Sequence, residues 1–329
     1  MKSLIPFFWL TVLLITLALI SLSIGRYPLG VSDIYRLLLD QDKLSETSWA
    51  VLLYLRLPRI LAAILVGASL SASGAVFQAM FVNPLVSPGI LGALSGASFG
   101  ALLGMLLGRS WHLIQCYAFL GGVMAVFLAL GIALILREEA ILMLILGGII
   151  SSSLFASLTS VIKMVADPYD KLPAMVYWLM GGLSNVEPRT VALTAPLILV
   201  CLVTLSLLSP YLNLLSQGEE EAKSLGVNTA LVRLIFIVLS TLISSLTVIL
   251  AGVIQGVGLV VPHIARMLFG VDNRTLVPSA SLLGAAFLLI VDDISRTLLW
   301  VEIPLGITSS FIGIAFFVAI LRNARRGWG

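Results

Sequence analysis

Charge is what this sequence has least of. Only 11% of its 329 residues are Asp, Glu, Lys or Arg, against about 25% in a soluble domain. That scarcity excludes a water-soluble globule, and a net charge of +3 without a basic stripe points to no nucleic-acid partner. His112, His263, Cys116 and Cys201 are the only histidines and cysteines. They make no zinc spacing and no H-E-x-x-H, so no metal ligand is assigned. Both cysteines lie inside apolar runs and read as small buried hydrophobes rather than as a disulfide. No G-x-x-x-x-G-K-S/T occurs, so the chain should not hold ATP phosphates by a P-loop. No low-complexity linker or soluble segment interrupts the chain, which reads as one membrane domain over 1–329.

What is abundant is apolar side chain: 60% of residues, with a mean hydropathy of +1.12. A bilayer leaves no water to satisfy backbone groups, so long apolar runs must be helices. About ten are placed, at 4–23, 58–81, 89–108, 112–136, 141–165, 190–209, 229–251, 254–269, 277–298 and 304–321. The first is longer than the roughly 7–15 residues of a signal-peptide core and is read as retained. The eighth is short and interrupted by Gly256, Gly258 and Pro262, which is tolerated only against protein or a cavity. The expected fold is an all-α polytopic membrane protein. The positive-inside rule does not decide its orientation by count. The Arg322–Arg326 cluster favours a cytoplasmic C-terminus, while Arg56 and Arg59 next to an outer span end oppose it.

Small residues recur every fourth position at Gly92, Gly96, Gly100, Gly104 and Gly108, and at Ala63, Gly67, Ser71, Ala75 and Ala79. That spacing keeps them on one helical face, where close backbone approach replaces the hydrophobic drive that lipid cannot supply. Ser153, Ser157 and Ser160 also share a face. Their hydroxyls either bond back to their own helix or form the polar wall of a translocation path. Gly218 to Gly226 reads as a short helix. Its acidic start suits the positive dipole end, Glu219 and Lys223 pair at i, i+4, and Gly226 can end it.

Five blocks in this order resemble one family, the FecCD/BtuC-type permeases of binding-protein-dependent ABC importers. They are Arg56-Leu57-Pro58-Arg59; Ser73-Gly74 to Gln78 with Asn83-Pro84-Leu85 and Pro88-Gly89; Tyr177 to Gly182; Gly218 to Gly226; and Gly258 to Arg266. The resemblance runs from about residue 50 to the C-terminus. One departure is Gly313-Ile314-Ala315-Phe316-Phe317, which lacks the proline of the family's Gly-x-Pro-x-Phe element.

The resemblance implies a BtuC-like type II importer permease, a transport subunit and not an enzyme. It would work as a homodimer in a bacterial inner membrane with both termini cytoplasmic. ATP and Mg would sit on two separate ATP-binding subunits, and a periplasmic binding protein would deliver cargo. A coupling helix at about 216–228 would meet the ATPase, with Gly218, Glu219, Ala222, Leu225 and Gly226 in the block and Ala222 and Leu225 docking. Arg56, Arg59 and Arg296 would face the binding protein, the alternative being internal pairing of Arg296 with Asp292 or Asp293. Asn83, Leu85, Ile141 and Leu142 would form the cytoplasmic gate. Ser153, Ser157 and Ser160 would line the path. The cargo implied is a metal chelate (iron–siderophore, haem or cobalamin) or a small oxyanion such as molybdate.

Two other classes are weighed. An ion-coupled secondary transporter would need a carboxylate buried at mid-membrane, for which Asp292 and Asp293 are the candidates. An intramembrane serine protease would need Ser69 or Ser98, each in a G-x-S pattern, to contact His263.

Overall fold

The structure, a computed structural model, describes residues 4–27, 46–136 and 140–325. Among these residues it is helical with no strand. Helices α1 (Leu4–Ser23), α2 (Glu46–Met80), α3 (Ala93–Leu106), α4 (Trp111–Leu136) and α5 (Ala140–Val165) are followed by the short α6 (Lys171–Leu179). Next come α7 (Pro188–Leu208), the one- to two-turn α8 (Pro210–Leu215) and α9 (Glu219–Ser224), then α10 (Thr229–Ala251), α11 (Val257–Phe269), α12 (Asn273–Thr297) and α13 (Leu305–Arg325). Six helices (α2, α4, α5, α7, α10 and α12) are long and apolar enough to cross a membrane, and α1, α3, α11 and α13 contain shorter apolar helices. These occupy the positions expected from hydropathy.

One boundary moves. The second span begins not near 58 but at Glu46, because a π-helical turn over Val51–Arg56 continues into the α-helix. Pro58 explains it. Its ring would clash with the carbonyl four residues back, and it has no N–H to donate. The turn widens, and the Leu57 N–H donates to the Leu52 carbonyl, five residues back.

Small residues set the packing. A Cβ on Gly67 would lie 2.2 Å from the Gly284 carbonyl oxygen, which seats α12 on α2. Gly96 and Gly100 meet the backbone of Gly121 and Tyr117 in the same way, seating α4 on α3. Hydroxyls join other helices: the Ser73 and Ser244 Oγ atoms are 3.1 Å apart between α2 and α10. Both cysteines are free; Cys201 is buried, but Cys116 is exposed on α4, contrary to the reading from sequence.

Candidate functional site

α3 and α11 have 14 and 13 residues, about 20 Å each at 1.5 Å per residue. That falls short of a hydrocarbon layer of roughly 30 Å. The chain makes up the length with irregular segments. Before α3 lie the turn at 81–87 and a 3₁₀ turn at Pro88–Leu91, closed by Gly92 at φ 86°. Before α11 lies 252–256, entered through Gly252 at φ 64° and left through Gly256 at φ 87°. The two breaks meet: a Cβ on Gly258 would lie 2.6 Å from Pro88 Cδ, and one on Gly74 would lie 1.9 Å from the Gly258 carbonyl oxygen. Between them is a cavity of about 500 Å³. Its polar lining comes from Ser87, Ser95 and Gln255, and the rest is Leu, Ile, Pro and Gly.

Of the expected gate residues, Leu85 lines this cavity and Asn83 lines a neighbouring one. The Asn83 side chain caps its own turn, its Oδ1 accepting from the Leu85 N–H at 2.9 Å. Leu142 lines neither cavity, and the Ile141 side chain lies outside the described residues. Ser153, Ser157 and Ser160 stand on an exposed face of α5 rather than in the cavity. The Ser157 hydroxyl donates to the Ser153 carbonyl and the Ser160 hydroxyl to the Ala156 carbonyl, while all three side chains stay on the exposed face of α5.

At the end of the bundle where α2 stops, Glu219 to Ser224 forms the expected short helix. Gly218 enters it at φ 123° and Gly226 leaves it at φ 80°. Glu219 bridges to Lys223 at 2.8 Å and to Arg233 of α10 at 2.6 Å, anchoring α9. Hydrogen bonds from those two cations hold the Glu219 carboxyl below its ordinary range. Leu225 is 62% exposed. Ala222 is fully buried against the rest of the chain, so its expected place on a docking face is corrected: it packs the helix down.

At the opposite end the three arginines are brought together, but inward. The Arg59 Nη2 is 2.9 Å from Asp292 Oδ1, its Nε is 3.0 Å from Oδ2, and its Nη1 is 3.0 Å from Glu302. Arg296 donates to the Ser21 carbonyl and Oγ and to Asp293, with its Nε 3.8 Å from Asp292. Arg56 donates to the Leu22 and Tyr27 carbonyls. Exposure of Arg56 and Arg296 is 5% and 6%. Charges held this way are spent on neighbours of the same chain. The outward-facing arrangement is therefore corrected in favour of internal pairing, with a cavity of about 330 Å³ beside the group. Burial pushes the Glu302 carboxyl up, but hydrogen bonds from Arg59 and Ser184 outweigh it and leave it below its ordinary range. Sequence reading missed Glu302, Ser184 and Gln255, since nothing in local spacing marks them; the Asp292–Arg296 spacing of four was visible.

The alternative chemistries find no geometry among the described residues. Ser98 donates to its own helix at Leu94, and the buried Ser69 hydroxyl has no hydrogen-bond partner, so neither hydroxyl donates to a histidine base. Asp292 is engaged by Arg59 near the end of its helix and is not a lone mid-membrane carboxylate.

A model of the FecCD transport family matches residues 13–323. The chain belongs to the FecCD transport family. Among its relatives, the molybdate import system permease protein MolB of Haemophilus influenzae is 39% identical over 323 residues, covering 97% of this chain and 96% of that one. The hemin transport system permease protein HmuU of Yersinia pestis is 33% identical, covering 96% and 95%. A solved metal-chelate type ABC transporter in an inward-facing conformation superposes with a TM-score of 0.87 at 39% identity, covering 96% of this chain and 98% of that one. As a FecCD permease the chain is a polytopic transport component of an ABC importer, not an enzyme. That membership implies ATPase and substrate-binding partners.

Proposed function

We propose that this chain is the permease half of an ATP-driven importer that moves a small metal oxyanion of the molybdate type from periplasm to cytoplasm. The observation that carries the reading is the cavity between the two helix breaks. Its lining is hydroxyl, amide and apolar, with no ionisable group, imidazole, phenol or thioether. Such a wall solvates a small hydrophilic ion without trapping it, as conduction requires. It offers nothing to ligate haem iron. The 39% identity to a permease named for molybdate import agrees with this reading. A hydrophilic metal chelate is the second reading, favoured by the same neutral lining.

On this reading the α9 end is cytoplasmic, as are both termini, in a bacterial inner membrane. Two ATP-binding subunits, which carry ATP and Mg, take Leu225 and the exposed side of α9. A periplasmic binding protein docks at the other end, on a surface whose shape the Arg59–Asp292–Glu302 network maintains. The exposed apolar face of α5, with Ile149, Ile150, Leu154 and Val161, packs in a homodimer around the path. Reconstitution with the products of the neighbouring genes tests this. ATP-dependent uptake of labelled molybdate that exceeds uptake of a ferric chelate is the expected result. Uptake that survives ATP depletion but not loss of an ion gradient would refute ATP coupling.

A further inference from the structure

The break before α11 places one polar side chain in the path. Of residues 252–256, Val253 and Ile254 are buried, while Gln255 is exposed and lines the cavity of about 500 Å³. Non-helical backbone at membrane depth is tolerated only against protein or a cavity, and two segments hold it here. The Ser309 hydroxyl donates to the Gln255 carbonyl at 3.0 Å, and the Gly182 N–H donates to the Ala251 carbonyl at 2.9 Å. A Cβ on Gly181 would lie 2.5 Å from the Val253 carbonyl oxygen, and one on Gly306 would lie 3.0 Å from the same atom. Leu305 and Gly306 donate in turn to the Gly181 and Met180 carbonyls at 2.9 and 3.0 Å. The backbone at Gln255 is thus fixed by α13 and by the turn at 180–182, and its side chain is left to the cavity.

Two hydroxyls share the cavity. Ser95 on α3 and Ser87 before the 3₁₀ turn line it and are only half-buried. Ser98, one turn further along α3, bonds back to Leu94. Among the described residues, by contrast, no hydrogen bond uses the Ser87 or Ser95 hydroxyl or the Gln255 side-chain amide. The three groups keep their donors for the occupant of the cavity: the amide has two N–H and each hydroxyl one O–H. The rest of the lining is Leu, Ile, Pro and Gly, so no charge of the protein competes for that occupant. Donors without a cation suit an anion that must bind and then leave.

We propose that Gln255 is the specificity-determining residue of the path, its Nε2 donating to an oxygen of a fully deprotonated oxyanion while Ser87 and Ser95 donate to others. The inference rests on the oxyanion reading above and names the residue that carries it. A tetrahedral dianion accepts at every oxygen and offers no donor, so it can use all three groups. A carboxylate in place of the amide turns that attraction into repulsion without changing side-chain size. Gln255 acts on the cargo directly, whereas Ser309, Gly181 and Gly306 are positioning residues.

The full-length chain is reconstituted in proteoliposomes with its ATP-binding subunits and loaded binding protein. Labelled molybdate carried is divided by ATP hydrolysed, because a defect in folding or docking lowers both and a defect in the path lowers the ratio. Q255L, which removes the donor, should lower the ratio about tenfold, the loss of one hydrogen bond to a charged group. Q255N keeps an amide and should recover part of it. Q255E should fall below Q255L by about another tenfold or more, from like-charge repulsion. Should Q255E fail to fold, S95D brings a carboxylate to the same cavity from α3 and should show the same loss. A ratio unchanged in Q255L, or a carboxylate variant that carries molybdate as well as Q255L does, would overturn the proposal and leave the importer reading standing. A wild type that carries a ferric chelate and not molybdate would overturn the cargo reading, and this inference with it.

Discussion

Replacing Arg59 by methionine is the perturbation that best separates an internal strut from a docking charge. Asp292 has no exposed side-chain surface, and Arg59 retains 12%. Their contact is bidentate, at 2.9 and 3.0 Å. Glu302, 28% exposed, takes the remaining nitrogen. Removing one partner of a buried pair costs about 3–5 kcal/mol, because the other charge stays buried without compensation. R59M leaves Asp292 with only the Arg296 Nε at 3.8 Å, so the upper part of that range is expected. D292N leaves Arg59 with Glu302 and should cost about 3 kcal/mol or less. The double variant R59M/D292L removes both charges and should cost less than R59M alone, since an apolar pair of similar volume can replace a buried ion pair. Reversible unfolding in mixed micelles, followed by tryptophan fluorescence, gives the three free energies and the coupling term. A cost of R59M within about 1 kcal/mol of zero, the range of an exposed pair, would refute the strut. So would strictly additive single changes. Either result would return Arg59 to the outer surface as a free docking charge.

Other expectations follow from the same geometry. G74V places branched carbons where a single Cβ would already stand 1.9 Å from the Gly258 carbonyl oxygen, and it should lower the unfolding midpoint and abolish transport, whereas G218A, with open space around it at φ 123°, should show only backbone strain of about 1–3 kcal/mol. L225D should leave the protein inserted and folded but prevent co-purification of an ATP-binding subunit; an intact complex would exclude Leu225 from the docking face. The lowered Glu219 carboxyl contributes stability that is present above its ordinary pKa of 4.5 and is lost as pH falls through the lowered folded value. Proteolytic protection of 216–228 should therefore be flat from about pH 6 to 8 and fall only below about pH 4.

Much of the architecture was legible because membrane insertion is a local property. A run such as Val191–Leu208 must be helical wherever it lies, since its backbone has no water to bond to. The glycines of α3 announced close packing for the same reason, and Gly218 and Gly226 bracketed a turn that only small residues enter easily. The departures from expectation are instructive. The span containing Pro58 starts twelve residues earlier than its hydropathy, at Glu46, because the proline imposes a wide turn rather than an end. Ala222, which the family resemblance placed on a docking face, lies on the packed side of α9.

The sequence by itself determined that this is a helical membrane protein, where its spans lie, and which small residues bring helices together. Only the tertiary structure decided that Arg59 meets an aspartate 233 positions away, that Ser153, Ser157 and Ser160 look outward, and that two broken helices converge on one cavity. In water, polarity tells the inside of a helix from the outside. In lipid both sides are apolar, so the pattern along the chain does not say which face meets protein, and a buried charge finds its partner only when a distant helix brings it.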